Sequence, residues 1–255
     1  MPASYAHYRF GKLLLLTLPA DIRQCIQRFR RMYDAGLQGP DFFFYYHPWL
    51  KSPTFALGHS FHMQSGQEFF PNACRAAGSE AARAYLYGLL AHYCLDAGVH
   101  PFVNQLDAIG EASHTPLEAE FDRFLLKKDG EPSPHTFNRG KLIKLTRGEC
   151  MTVAEFFPGV TGGKVSISFR TMALCLRLLA HPNRRLQEQV LNHTYPAFLD
   201  HRLPEEASEE MALYISELYD LYQKALERYP LLLQAMTDHL KTGKDLPEVF
   251  APNFG

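Results

Sequence analysis

The stretch AYLYGLLAHYCLDAGVHPFV, residues 84–103, carries the clearest structural pattern in this chain. It carries three candidate metal ligands, His92, Asp96 and His100, each four residues after the last, among apolar neighbours such as Leu95. Side chains four residues apart lie on one face of an α-helix, one turn from each other. The stretch therefore predicts a buried helix that points two imidazoles and a carboxylate at one place.

A second stretch, SHTPLEAEFDRFLL at residues 113–126, repeats this spacing with His114 and Glu118. Ser113 fits an N-cap for a helix that runs to Lys128. Imidazole and carboxylate together suit zinc and other first-row metals. The simpler interpretation of either pair is a helix-surface ion pair that contributes about 0.2–0.5 kcal/mol.

Helical periodicity dominates the rest of the chain, and Pro101 predicts a stop or kink at His100. The expected fold class is all-α, a multi-helix bundle of about eight helices in one domain. We expect a metal-binding helical core over 1–128, a loop-rich insertion or lid over 129–165, and C-terminal helices packing on the same domain over 166–255. The predicted helices cover 5–17, 21–36, 57–75, 79–100, 113–128, 166–180, 183–199 and 207–241.

The composition excludes several classes of protein. Hydrophobic residues make up 46% of 255 residues, which supports a substantial core. The formal net charge of -1 gives no global basic field, so no specific binding of nucleic acid is expected. The 5 cysteines are widely spaced, which fits reduced thiols and a cytoplasmic location. The apolar run Leu13–Leu16 is too short to span a bilayer, so no transmembrane segment is expected.

Further candidate ligands precede the two helices: His7, Asp41, and either His59 or His62, which lie three residues apart. The ordered set resembles the zinc-dependent phospholipase C family, which shares its all-helical fold with the fungal single-strand-specific nucleases. The resemblance covers about residues 1–128. The motifs that carry it are MPASYAH (1–7), GPD (39–41) and the two stretches quoted above.

The resemblance implies a trinuclear zinc site. One ion would be held by Asp41, His62, His92 and Asp96, a second by His100, His114 and Glu118, and a third by His7 with Asp96 bridging. The N-terminal tryptophan that completes the third site in the family is missing here, which leaves a site of two metals open. The spacing between Asp96 and His100 is also shorter than in the secreted enzymes, with three intervening residues instead of five.

These residues predict a metal-dependent hydrolase of phosphoric esters that is phospholipase C-like. Two metals hold a water-derived nucleophile and stabilise the attacking and leaving oxygens of a phosphoryl displacement. Asp41 is the candidate catalytic residue, because it would orient that nucleophile. The expected substrate is a small phosphoester or a phospholipid. A single-strand nuclease or nucleotidase, and a non-catalytic metal-stabilised binding protein, stay open, as does the oligomeric state.

An aromatic run, Phe42-Phe43-Phe44-Tyr45-Tyr46 with Trp49 beyond it, directly follows Asp41. We interpret most of the run as core. Phe44 and Trp49 are the candidates for contact with substrate at the mouth of the site, and Trp49 is the expected exposed member.

Overall fold

The computed structural model describes residues 4–50, 52–194 and 196–255, and of Thr194 the backbone alone. These residues are almost entirely helical and contain no strand beyond one isolated bridge between Ser65 and Asn253. The all-α fold class is therefore confirmed. The α-helices are α1 Ser4–Leu14, α2 Ala20–Arg28, α3 Arg30–Gly36, α4 Pro53–His62, α5 Gly66–Ala76, α6 Glu80–Ala108, α7 His114–Lys128, α8 Arg147–Ala154, α9 Gly162–Leu179, α10 Arg184–Thr194 and α11 Ala212–Thr242. Short 3-10 helices cover Gly39–Tyr45, Pro134–Thr136, Arg139–Leu142, Pro196–His201 and Glu248–Phe250.

Helix α6 is the axis of the bundle and is buried along most of its length between α3 and α11. Glycines allow α3 to lie directly against it. A Cβ atom on Gly36 would collide with the carbonyl oxygen of Tyr85, and one on Gly88 with that of Tyr33. This close approach brings the 3-10 helix Gly39–Tyr45, which follows α3, against the middle of α6.

Helix α6 continues through Pro101, so a stop at His100, one of the two predicted outcomes, is wrong. Proline removes one backbone hydrogen bond from a helix interior. Here the turns that follow bury Val103 and Leu106, and this packing holds them in helical geometry. The consequence is that His100 remains one regular turn from Asp96, on the same face.

Two of the predicted helices are each divided. The segment 57–75 forms α4 and α5, because Ser65 and Glu68 make a capping box that starts a new helix. The segment 21–36 divides at Phe29 into α2 and α3. Counted over the described residues, the α-helices therefore exceed the expected eight.

The remaining predicted helices are present, and their bounds differ from the prediction by a few residues. Helix α10 ends at Thr194, and a 3-10 helix covers Pro196–His201, where one helix to residue 199 was expected. Helix α11 begins at Ala212 instead of residue 207. The helices predicted over 5–17, 113–128 and 166–180 are present as α1, α7 and α9.

The segment 129–165, predicted as loop-rich, contains α8 and the first turn of α9. Its side chains belong to the core: Phe157 packs edge-on against Phe42 and Phe43, at centroid distances of 5.5 and 5.1 Å. Its buried Arg139 is ion-paired to Asp122 of α7 at 3.0 Å. Whether any part of the segment acts as a lid stays a prediction. Among the described helices, none combines the length and the apolar character needed to cross a bilayer.

Candidate metal centre

The centre of the candidate site is a row of three side chains on α6. His92, Asp96 and His100 stand one turn apart and are all buried. His92 Nε2 lies 2.8 Å from Asp96 Oδ2, and His100 Nε2 lies 3.7 Å from Asp96 Oδ1. Asp96 is thus the midpoint of the row.

Asp41 and His62 join the row from its N-terminal side. Gly39 adopts a positive φ of 49°, and its missing Cβ makes room for the ring of His92. This turn places Asp41 Oδ2 3.8 Å from His92 Nε2. His62, the last residue of α4, brings its Nε2 to 2.8 Å from Asp41 Oδ1. His59 lies outside the cluster, with its ring against Phe44, so the structure favours His62 in this choice.

His7 enters from α1. Its Nε2 lies 3.1 Å from Asp96 Oδ1, and its ring stacks on His92 at a centroid distance of 4.3 Å. The carboxylate of Asp122 fixes this position, because it accepts hydrogen bonds from the backbone N–H groups of Tyr5 and Ala6 at 3.1 and 2.8 Å. The sequence analysis missed Asp122. Its one signal was a second acidic residue four positions after Glu118 on the same helix.

Two groups of ligands can be distinguished by their access to solvent, because His114 is the one member of the eight that is not buried. We call His7, Asp41, His62, His92 and Asp96 the inner cluster, and all five are buried. We call His100, His114 and Glu118 the outer cluster. Glu118 Oε1 lies 3.4 Å from His100 Nε2 and 3.3 Å from His114 Nε2, and the His114 side chain is 24% exposed. All eight predicted metal-ligating residues therefore converge, and they approach solvent at the outer end.

Oxygen acceptors orient four of the five imidazoles from behind. The carbonyl oxygens of Leu37, Gly58 and Phe254 lie 3.2, 2.6 and 2.8 Å from the Nδ1 atoms of His92, His62 and His100, respectively. Asn104 Oδ1 lies 3.2 Å from His114 Nδ1. Since these oxygens only accept, each Nδ1 carries a proton and each Nε2 points into the cluster. This arrangement is typical of metal-binding histidines.

The sequence analysis missed these four partners. Three of them act through backbone carbonyls, which leave no trace in residue identity. Phe254 lies 154 residues from His100, in a part of the chain that carries no recognised motif.

The charges of the Asp96 carboxylate and the imidazoles around it favour a bound cation. Burial alone would raise the pKa of Asp96, but His92, His100 and His7 outweigh it and hold that pKa well below its usual range. Burial lowers the pKa of His92, against the opposing effect of the Asp96 carboxylate. When His92 carries its single proton on Nδ1, its Nε2 lone pair faces the Asp96 carboxylate oxygen at 2.8 Å, which is repulsive unless a positive charge lies between or beside them.

His100 differs from His92 in its protonation. Burial works to lower its pKa, but the carboxylates of Asp96 and Glu118 prevail and raise it to about 9. A metal at the outer cluster therefore has to displace a proton from this ring.

Buried polar atoms that have no hydrogen bond support the presence of a metal ion at this site. His7 Nδ1, His92 Nε2, His114 Nε2 and Asp96 Oδ2 are buried and form no hydrogen bond within the described part of the protein. The ligand atoms form three sets, and within each set all of them lie within 4.8 Å of one another. The sets are His7, Asp41 and His92; His62, His92 and Asp96; and His100, His114 and Glu118. Nitrogen and carboxylate donors in sets of three suit zinc. The residues present therefore fit the ion.

A family model described as zinc dependent phospholipase C matches residues 6–158, more than half of the chain. The chain belongs to the zinc-dependent phospholipase C family. No curated protein and no solved structure matches the chain.

Membership in this family extends further along the chain than the resemblance over 1–128 indicated. The matched range includes α8 and Phe157. It contains all eight candidate ligands of both clusters, but not Phe254, whose carbonyl orients His100.

The two candidate substrate contacts lie in different environments. Phe44 is buried, and its ring lies 5.4 Å from that of His62, so it packs behind the inner cluster. The neighbouring rings of the aromatic run are also core, as expected for most of them. Trp49 is 54% exposed and contacts His47, and it remains the candidate for a lipid or base contact.

Proposed function

We propose that this protein is a metal-dependent hydrolase of phosphoric esters, phospholipase C-like, with a site for two or three zinc ions. The observation that carries this proposal is the inward orientation of the imidazoles. The Nε2 atoms of His62, His92 and His100 face carboxylate oxygens while their Nδ1 atoms are fixed from behind. Family membership and the three groups of ligand atoms support the same proposal.

The proposed ligands divide between the two clusters. In the inner cluster, Asp41, His62, His92 and Asp96 hold one ion, and His7 with Asp96 helps to hold another. In the outer cluster, His100, His114 and Glu118 hold an ion. The charge supports an anionic substrate, because three divalent ions exceed the three carboxylates of Asp41, Asp96 and Glu118.

Zinc, when bound, lowers the pKa of its water to about 7 and stabilises charge on phosphoryl oxygens. The side chains have complementary tasks. Burial favours a raised pKa for Asp41, but His92 and His62 dominate and lower it. Asp41 therefore holds a proton poorly, and we assign it the role of orienting the nucleophile by accepting a hydrogen bond.

The outer cluster is the proposed point of entry for substrate. A cavity of about 20 Å³ lies between His7, Asp96, His100 and Glu118, with apolar residues such as Phe121 on its other side. This volume accommodates a single water. The partly exposed His114 lies beside it, so a phosphoester would approach from that side.

Hydrolysis assays test the proposal. The protein, purified without chelator, is incubated with a chromogenic phosphocholine ester, phosphatidylcholine vesicles and single-stranded DNA. We expect hydrolysis of the two phosphocholine esters. This activity should be lost when the metal is chelated and should return when zinc is added. His114→Ala should abolish the activity, and His59→Ala, a histidine outside the cluster, should retain it. Cleavage of DNA alone would favour the nuclease alternative.

One observation favours a second candidate, a non-catalytic protein stabilised by metal. All five residues of the inner cluster are buried, as ligands of a structural metal usually are. His92→Ala and Asp96→Ala separate the two functions. If both variants retain any measured hydrolysis at the parent rate, that hydrolysis has another source. If both fail to fold, the inner metal is structural.

We further propose a cytoplasmic location. All five cysteines lie in the described residues and are free, with Cys74, Cys94 and Cys150 buried. Reduced thiols of this kind are usual in cytosolic proteins. Labelling of thiols in intact cells, compared with lysed cells, checks the location.

A further inference from the structure

Positive charge is concentrated in one segment of this nearly neutral chain. Residues 140–180 contain 6 lysines and arginines and 2 acidic residues, whereas the remainder has 20 basic and 25 acidic residues. One of the two acidic residues, Glu149, is already paired with Arg31 at 3.0 Å. The segment therefore presents a positive excess that the net charge conceals.

The excess is organised around a groove. Lys141, Lys144 and Arg177 line a groove of about 700 Å³, together with apolar atoms that include those of Leu174. All three basic side chains are exposed, and within the described residues none of them forms an ion pair. We call these four residues the basic groove.

Helix α9 continues this surface toward its N-terminal end. Ile167, Arg170, Leu174 and Arg177 stand at helical spacing on one face. Leu174 is 64% exposed and Ile167 is 38% exposed. Cationic side chains attract anionic lipid headgroups, and exposed aliphatic side chains beside them can enter the interfacial region.

We propose that the basic groove and the exposed face of α9 dock on the surface of an anionic phospholipid bilayer. The lysines and arginines attract the lipid phosphates, and Leu174 and Ile167 enter the headgroup region. Lipid is favoured over nucleic acid because the groove offers aliphatic side chains where single-strand binders present aromatic rings. This inference adds a membrane-docking surface to the proposed function, and the part that concerns activity on vesicles rests on that function.

The groove is attached firmly to the candidate metal centre. Lys141 belongs to the 3-10 helix Arg139–Leu142, whose Arg139 donates to Asp122 at 3.0 Å. Asp122 also fixes α1 beside His7, and it lies on α7 with His114. A docked groove therefore holds the outer cluster at a set position relative to the bilayer.

Vesicle sedimentation tests the docking without any turnover. The full-length protein should sediment with vesicles of equal parts phosphatidylcholine and phosphatidylglycerol, and much less with pure phosphatidylcholine. Neutralising two cations in K141Q/R177Q should weaken the partition coefficient about 25-fold, since each cation near such a surface contributes about fivefold. Leu174→Ser should weaken it by up to about tenfold.

A matched control removes the same charge elsewhere. K12Q/K241Q neutralises two exposed lysines on α1 and α11, and it should bind vesicles within about twofold of the parent. Equal loss of binding in both double variants, or equal binding to neutral and anionic vesicles, would overturn the proposal. So would retention of a single-stranded oligonucleotide by a protein that does not sediment with vesicles.

Different variants test the docking proposal and the catalytic proposal independently. His114→Ala should sediment like the parent protein while hydrolysis is lost. K141Q/R177Q should hydrolyse a soluble phosphocholine ester at the parent rate but lose activity on anionic vesicles. Loss of both activities in K141Q/R177Q would contradict the assignment of the groove to lipid docking.

Discussion

The inner and outer clusters use the same residue types but differ in burial and in their supports. The inner cluster is sealed by α1, α4, α6 and the 3-10 helix Gly39–Tyr45, and its His92 has no exposed surface. The outer cluster lies at the end of α7, where His114 is oriented by a single side chain, Asn104. On the proposed function, metal binding at the inner cluster also supports the fold and positions Asp41 for the chemistry, whereas the outer cluster gives a substrate access to the site.

Removing Asp96 should have the largest effect, because this carboxylate contacts His7, His92 and His100. Asp96→Ala leaves buried imidazoles without their shared counter-charge, and we expect a loss of about 3–5 kcal/mol in the free energy of unfolding. Zinc bound at the inner cluster should also be lost. Denaturant unfolding and metal analysis check both effects. A variant with parent stability and parent zinc content would contradict the assignment of a metal ion to the inner cluster.

Removing His114 should affect function far more than folding. His114→Ala removes a partly exposed ligand, so we expect the free energy of unfolding to change by less than about 1 kcal/mol. Hydrolysis should fall by at least about 100-fold, because the outer metal is lost. The control is His59→Ala, which removes an exposed histidine from neighbouring α4. If the two variants behave alike in activity and zinc content, the division into inner and outer clusters is wrong.

Deleting residues 254–255 should lower the affinity of the outer cluster for zinc. The deletion removes the carbonyl oxygen of Phe254 that orients His100, and such partners affect metal affinity by about 10–100-fold. Competition with a zinc chelator of known affinity measures the change. Glu248→Gln, an exposed position in the same C-terminal segment, is the control. Unchanged affinity after the deletion would show that the Phe254 carbonyl does not position His100 for metal.

Replacing Trp49 should have the smallest effect, because this side chain lies outside both clusters. Trp49→Ala is expected to leave hydrolysis of a soluble phosphocholine ester within about twofold of the parent. On vesicles, KM should rise several-fold with kcat unchanged, since an exposed aromatic side chain contributes to interfacial contact. A fall in kcat on the soluble ester would instead give Trp49 a direct part in the chemistry.

The sequence predicted the convergence of the candidate ligands better than it predicted the bounds of the helices around them. Helical spacing on α6 and α7 was enough to align His92 with Asp96, and His114 with Glu118, because ligands on one helix need no knowledge of tertiary structure. The pairing of Asp41 with His62 came only with the family resemblance, because it depends on how closely α3 packs on α6. Local rules failed at Pro101, where burial of the following turns outweighs the lost hydrogen bond.

The parts that could not be predicted depend on backbone atoms and distant contacts. The carbonyls of Leu37, Gly58 and Phe254 orient the imidazoles, and a carbonyl is present at every residue. The buried ion pair of Asp122 with Arg139 joins two segments that the sequence had assigned to separate regions. Such long-range contacts follow from the assembled bundle, and no periodicity in the sequence reveals them.

Metal analysis of the full-length protein, purified without chelator, tests the central claim most directly. Inductively coupled plasma mass spectrometry should find about two to three zinc ions per chain, falling by about one ion in His114→Ala. His59→Ala should retain the parent zinc content. Fewer than about one tightly bound first-row metal ion per chain would contradict the assignment of these eight side chains to a metal centre.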